Sequence, residues 1–216
     1  MTGVLVLHDV GDPDGGARWR AALEAAAWPG PVSAPDLPGH GSSPAPVGGT
    51  YELTDPVLAV LPSIPAGDPD PPVVLGVGTN GWCASILALG GRASALVLVD
   101  GLGGPFLVQA DAMAAERARL RRLVDDPDAV GPPPATGLDP RLRHGVGPLG
   151  SRAVAERTAA ATAVPVLLVE TGASPVTAEE RDAVASRYPG GATVVELAAG
   201  DPDAVAAAVV AWAGTA

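Results

Sequence analysis

Six short runs of aliphatic and β-branched residues recur along the chain, separated mostly by alanine-rich stretches with helical spacing. This alternation restricts the fold more than any other feature. The runs are Val4–His8, Pro31–Ala34, Val73–Val77, Ala95–Asp100, Val164–Glu170 and Thr193–Leu197. Helical patterns cover Ala17–Trp28, Leu53–Leu61, Gly81–Leu89, Thr177–Arg187 and Pro202–Trp212, and Trp19, Leu23 and Ala26 share one face of the first. A strand followed by a helix, repeated at this spacing, requires parallel pairing with helices on the sheet faces. The uninterrupted apolar runs "ALVLV" and "VPVLLV" suit strands covered on both sides. The expected fold class is therefore α/β: a three-layer α/β/α sandwich around a mainly parallel, six-stranded sheet. The chain has 216 residues, 47% of them apolar, with one Phe and two Tyr. That suffices for one well-buried domain whose core is built from many small contacts.

Two helix starts carry local signals. Ser174-Pro175 and Asp201-Pro202 each offer a capping oxygen followed by a proline whose missing N–H costs nothing in the first turn. One segment breaks the alternation. Gly101 to Thr162 holds no strand, but does hold a helical run (Leu107–Val124), a Pro/Gly-rich loop (Asp125–Gly150) and a second helical run (Ser151–Ala161). An insertion of this length between sheet strands is usually functional or a lid. The expected division is a core of residues 1–104 and 163–216 with a helical and loop cap over 105–162.

Charge and cysteine content restrict the function classes. The net charge is −11, and all 13 basic residues are Arg. Such a chain repels phosphate backbones, which argues against nucleic-acid binding. No run approaches the roughly 18 apolar residues of a membrane span. "MTGVLVLHD" enters a strand without a basic leader, so a cytoplasmic location is expected. Cys83 is the sole cysteine. No disulfide can form within the chain, no His/Cys/Asp/Glu spacing points to a metal, and no cofactor is expected.

The glycine turn in "PPVVLGVGTNGWCASILAL" (Pro71–Leu89) raises the functional question. Gly76, Gly78 and Gly81 form G-x-G-x-x-G between a strand and a helix, and Asp100 ends the next strand. This permits a dinucleotide-binding reading. It is a weak match, because the chain has 28 Gly and two strand-helix units precede the turn.

The upstream "APDLPGHGSS" (Ala34–Ser43) resembles the D-x-P-G-x-G-x-S loop of the α/β-hydrolase superfamily. "VLVLHDVG" (Val4–Gly11) resembles that family's first long strand and His-Gly oxyanion loop, with Asp9 where Gly is usual. "VVLGVGTNGWCA" resembles the nucleophile strand and elbow, and "RASALVLVDG" the strand after it. "VPVLLVETGASPV" is similar to the acid-bearing strand and loop. "ATVVELAAGDPDAVAAAVVAWA" is similar to the last strand and helix, which carry the His. The resemblance spans nearly the whole chain in the family's order, with the insertion where the family keeps its cap. It implies a hydrolase fold lacking the first two, antiparallel-edge strands.

Family chemistry places Ser at the elbow, then an acid, then a His. An ungapped match puts Gly78 at the nucleophile position. A one-residue shift puts Thr79 there but sets β-branched Val77 in the tight turn. At the acid position stands Ala173, with Glu170 and Ser174 nearby. The loop after "VVEL" holds Gly200-Asp201 and no His, and no His follows His144. All three catalytic positions thus read as vacated.

Weak catalytic candidates remain in Thr79, His144 and Asp100. His144 lies in the insertion, where six Arg fall between Arg117 and Arg143 and form either a solvated face or a basic lid. Expected pocket walls are His8, Asp9, Val10, Gly78, Thr79, Asn80, Gly101 and Phe106, with Val10 and Thr79 N–H forming an empty oxyanion hole. His8 and His40 are expected to order their own loops, and Cys83 to be a small core residue. The expected function is a hydrolase-fold protein without a working triad that binds a small, partly apolar molecule or a protein partner. Self-association is left open. Two other readings stand beside it: an esterase- or lyase-like enzyme using Thr79 or His144, and a dinucleotide binder.

Overall fold

The computed structural model describes residues 2–46, 51–102, 109–125, 137–147, 151–174, 176–198 and 200–215. Six strands form one sheet: β1 (Val4–Leu7), β2 (Val32–Ser33), β3 (Val73–Val77), β4 (Ala95–Val99), β5 (Val166–Glu170) and β6 (Ala192–Glu196). Their order is β2-β1-β3-β4-β5-β6, and every pairing is parallel. The helices are α1 (Gly15–Ala25), α2 (Asp55–Val60), α3 (Gly81–Leu89), α4 (Gln109–Asp125), α5 (Arg152–Ala161), α6 (Ala178–Ala185) and α7 (Pro202–Ala213). All six expected strands are present, their ends shifted by no more than two residues.

Alternation along each strand divides the core into two apolar layers. On one face Leu5, Leu7, Val74, Leu96, Leu98 and Leu168 pack with Val57 of α2, Leu87 of α3, Ala155 and Ala159 of α5, and Val184 of α6. On the other, Val4, Val6, Leu75, Val97, Leu167 and Val169 meet Trp19 and Leu23 of α1 and Val205 and Val209 of α7. Each fully buried Leu or Val contributes roughly 1.5–3 kcal/mol. β1, β3, β4 and β5 are covered on both sides, which is why they read as unbroken apolar runs.

The caps agree with the sequence at one end and correct it at the other. Asp201 caps α7, accepting a hydrogen bond from Asp203 N at 3.2 Å, with Pro202 in the first turn. The cap of α6 is Thr177, not Ser174. Thr177 and Glu180 form a reciprocal capping box that satisfies two backbone N–H groups at once, more than a single Ser-Pro start can do.

Residues 137–147 are stitched to the core by backbone bonds. Gly41 N donates to Gly137 O at 2.5 Å, Asp139 N to Gly39 O at 2.8 Å, and Leu53 N to Gly147 O at 2.7 Å. Two of the insertion's Arg residues brace this contact. Arg119, 4% exposed, pairs with Glu116 at 2.7 Å and donates to Tyr51 O; Arg141 pairs with Asp139 at 2.7 Å and lies over the Tyr51 ring.

Candidate functional site

The chain leaves β1 toward β2 on one side, and later continues from β3 toward β4 on the other. The carboxyl ends of β1 and β3 therefore mark the topological switch point, where open parallel sheets hold ligands. Two loops meet there: His8–Gly11 after β1 and Gly78–Asn80 after β3.

The loop after β1 is held by two buried histidines. Leu37 N donates to His8 Nε2 at 3.3 Å, so in the neutral ring Nδ1 carries the proton and donates to Asp9 O at 3.0 Å. His40 repeats the pattern. Its Nε2 accepts from Gly11 N at 2.9 Å, and its Nδ1 faces Pro38 O at 3.1 Å. The rings meet edge to face at 4.8 Å. Burial holds the His8 imidazole below its ordinary pKa. Each ring faces its own loop through Nδ1 and accepts from the other loop through Nε2, so the histidines tie the two loops to one another, where the sequence reading expected each to order its own.

The bend after β3 turns at Gly78, whose φ of +54° lies in the left-handed region that favours glycine. Gly78–Asn80 form a 3₁₀ turn that leads into α3. Asn80 is buried and donates to His8 O at 2.5 Å, joining the two loops. A Cβ on Gly81 would reach Gly101 O at 2.5 Å, and one on Gly101 would strike Gly78 O. These glycines let the backbones of the bend and of the β4 terminus touch.

Asp9 occupies the junction. Its Oδ1 accepts from Val10 N at 2.8 Å and from Thr79 N at 3.2 Å. A Cβ added to Gly78 would stand against both carboxylate oxygens. The N–H pair expected to be empty is therefore filled by the protein's own carboxylate. The bond from Val10 is local, whereas the second, from a residue 70 positions away, leaves no mark in the sequence. Burial raises the Asp9 pKa above the ordinary carboxylate value, while the two N–H bonds oppose the shift.

A second junction joins the ends of β4 and β5 with the loop after β6. Asp100, itself at φ +50°, accepts from Thr171 N at 2.7 Å and from the Thr171 hydroxyl. A Cβ on Gly200 would lie 3.0 Å from Thr171 Oγ1 and 4.0 Å from Asp100 Oδ2. Thr171 was not singled out from sequence, because nothing local marks it as the partner of Asp100. Glu170 is half-buried, and burial, with Asp100 nearby, raises its pKa.

The remaining candidates separate. Among the described residues the Thr79 hydroxyl makes no hydrogen bond, and Thr79 meets Asp9 only through its backbone. Cys83 donates to Leu53 O at 2.8 Å, and burial pushes its thiol up to about 12, consistent with a core role. His144 lies in the 3₁₀ turn Pro140–His144; its side chain, like Phe106, lies outside the described residues. No group of three or more His, Cys, Asp or Glu able to hold a metal occurs among the described residues. No helix there is long and apolar enough to cross a membrane. A cavity of about 520 Å³ opens at the opposite end of the sheet, lined by Pro165, Ala192, Trp212 and Thr215 among others. It is remote from both junctions, at the end where parallel sheets rarely place their chemistry.

No family model matches the sequence, and a search of the curated proteins finds no match. Solved structures do match in shape. An α/β hydrolase from Sphaerobacter thermophilus is 17% identical, with a TM-score of 0.62 over 98% of this chain and 92% of that one. The chain has the α/β-hydrolase fold. The thioesterase domain from the curacin biosynthetic pathway matches at a TM-score of 0.72, with 18% identity over 100% of this chain and 91% of its own. The enol-lactonase from Burkholderia xenovorans LB400 matches at 0.66, with 19% identity over 99% and 91%. In α/β-hydrolase folds generally, the strand-to-helix bend presents the nucleophile, and the following N–H joins one from the loop after an earlier strand in the oxyanion hole.

Proposed function

We propose that this chain is an α/β-hydrolase-fold protein that binds a small, partly apolar molecule at the carboxyl ends of β1, β3 and β4 without a working Ser-His-Asp triad. One observation carries the reading: the Asp9 carboxylate sits on the Val10 and Thr79 N–H groups, above a bend whose residue is Gly78. A glycine has no atom to attack a carbonyl. A tetrahedral oxyanion would have to displace a carboxylate tethered one residue away from one of the donors it needs. Gly200 stands beside Asp100 and Thr171, so the acid-bearing end of the sheet faces a residue without a ring. The core of residues 1–104 and 163–216 would supply the site and the 105–162 insertion its cover, except for α5, whose Ala155 and Ala159 pack into the sheet layer.

The dinucleotide reading has less support. The Thr79 N–H that would meet a diphosphate is already bonded, and the neighbouring carboxylate repels phosphate.

The test is turnover of p-nitrophenyl acetate and butyrate by the purified chain, with melting temperature followed in the presence of NAD. No ester turnover above buffer and no shift with NAD are expected. Ester hydrolysis that disappears in Thr79→Ala or His144→Ala would overturn the reading, and a clear stabilisation by NAD would replace it with the nucleotide one.

A further inference from the structure

Resting on that reading, the charge at the junction says what kind of ligand the site takes. Asp9 is half-buried. Oδ1 is engaged by two N–H groups, while Oδ2 accepts no hydrogen bond and Asp9 forms no ion pair among the described residues. Asp9 keeps part of its surface open, and Oδ2 is not among the enclosed, unpartnered atoms of the described residues. The nearby His8 and His40 rings have turned their nitrogens to backbone groups, and neither forms a hydrogen bond with the Asp9 carboxylate. Asp12, an acid whose charge is felt at Asp9, is itself paired with Arg18 at 2.9 Å. A partly desolvated carboxylate without a cation is costly unless something pairs with it.

We infer that the polarity of this site is inverted relative to an oxyanion hole: it presents an acceptor, Asp9 Oδ2, and takes a small apolar molecule bearing an ammonium group. The N–H donors that would hold a carbonyl or carboxylate are consumed inside the protein. Gly78 carries no side chain, and the Asp9 carboxylate occupies the space a Cβ would take there. The contact is a charge-assisted hydrogen bond of the N⁺–H to carboxylate type, about twice as strong as a neutral one. Ligands that differ only in the sign of the head group should therefore separate.

Benzylamine and benzoate form such a pair, and calorimetric titration at neutral pH compares them. The wild type should bind benzylamine about tenfold or more tightly than benzoate, a difference of about 1.4 kcal/mol or more. Asp9→Asn keeps an oxygen for the Val10 and Thr79 N–H groups, so the loop is retained while the charge is lost; the preference should vanish. Asp9→Gly empties the N–H pair, and benzoate should become the better ligand. Melting temperatures of both variants establish that they are folded. Equal binding of the two probes by the wild type, binding of neither, or a preference that survives Asp9→Asn overturns the inference. Ester turnover would instead sink the non-catalytic reading, and it is measured independently of this preference.

Discussion

Two neighbouring residues at the end of β1 respond to pH in opposite directions. Burial favours the neutral form of His8, lowering its pKa from 6.5. The unfolded chain therefore takes up this proton first, and the stability His8 contributes is fully present above pH 6.5 and is lost as pH falls below it. Asp9 has a pKa raised from 3.8 by burial, so its contribution is largest below 3.8 and is lost as pH rises through its folded value. The expected results are a melting temperature that falls from pH 7 to 5 with a smaller slope in His8→Gln, and an Asp9→Asn variant that melts above the wild type at pH 7 with a gap that narrows toward pH 4. A thermal-shift series across pH checks both signs. At the bend, Gly78→Ala places a Cβ in a left-handed conformation and against the Asp9 carboxylate. A loss of about 1–3 kcal/mol is expected. Adding Asp9→Gly should return part of that loss, because the two side chains compete for one space. Urea denaturation of the two single variants and the double variant measures the coupling, and strict additivity would refute it.

At the scale of elements, the strands and helices follow from local patterns and the termini from capping chemistry. The β3-to-α3 segment was readable as strand, turn and helix because its apolar run, glycines and small helical residues are contiguous. The helical run of α6 was read from Thr177, but its cap was assigned to Ser174 because Ser174-Pro175 offers the same local signal as Asp201-Pro202. The difference lies in the reciprocal bonds of Thr177 and Glu180, which hold the helix start three residues later. Thr177→Ala should cost about 1 kcal/mol in stability by urea titration, whereas Ser174→Ala should leave the unfolding midpoint nearly unchanged. The insertion illustrates the limit of charge counting. Its six Arg read equally well as a solvated face or a basic lid, yet Arg119 and Arg141 are committed to Glu116, Asp139 and the surroundings of Tyr51.

The whole molecule is a parallel sheet covered on both faces, so its polar chemistry collects at the strand ends, where the helices stop. The two junctions there, Asp9 with Thr79 and Asp100 with Thr171, each join residues about 70 positions apart. The sequence determined the three-layer fold, its six strands and the glycine bend. These depend on periodicity, burial and turn chemistry, which act over a few residues at a time and leave their mark in composition. It also placed His8, Asp9, Gly78 and Thr79 near one another, through their positions at the ends of adjacent strands. Only the tertiary structure decided what they do there. Whether the Val10 and Thr79 N–H groups face a vacant space or a carboxylate depends on the parallel register that sets β1 beside β3, Leu7 opposite Gly76, and on the rotamer Asp9 adopts once both loops are fixed. A hydrogen bond across such a separation is selected by packing of the whole sheet, and no local pattern encodes it.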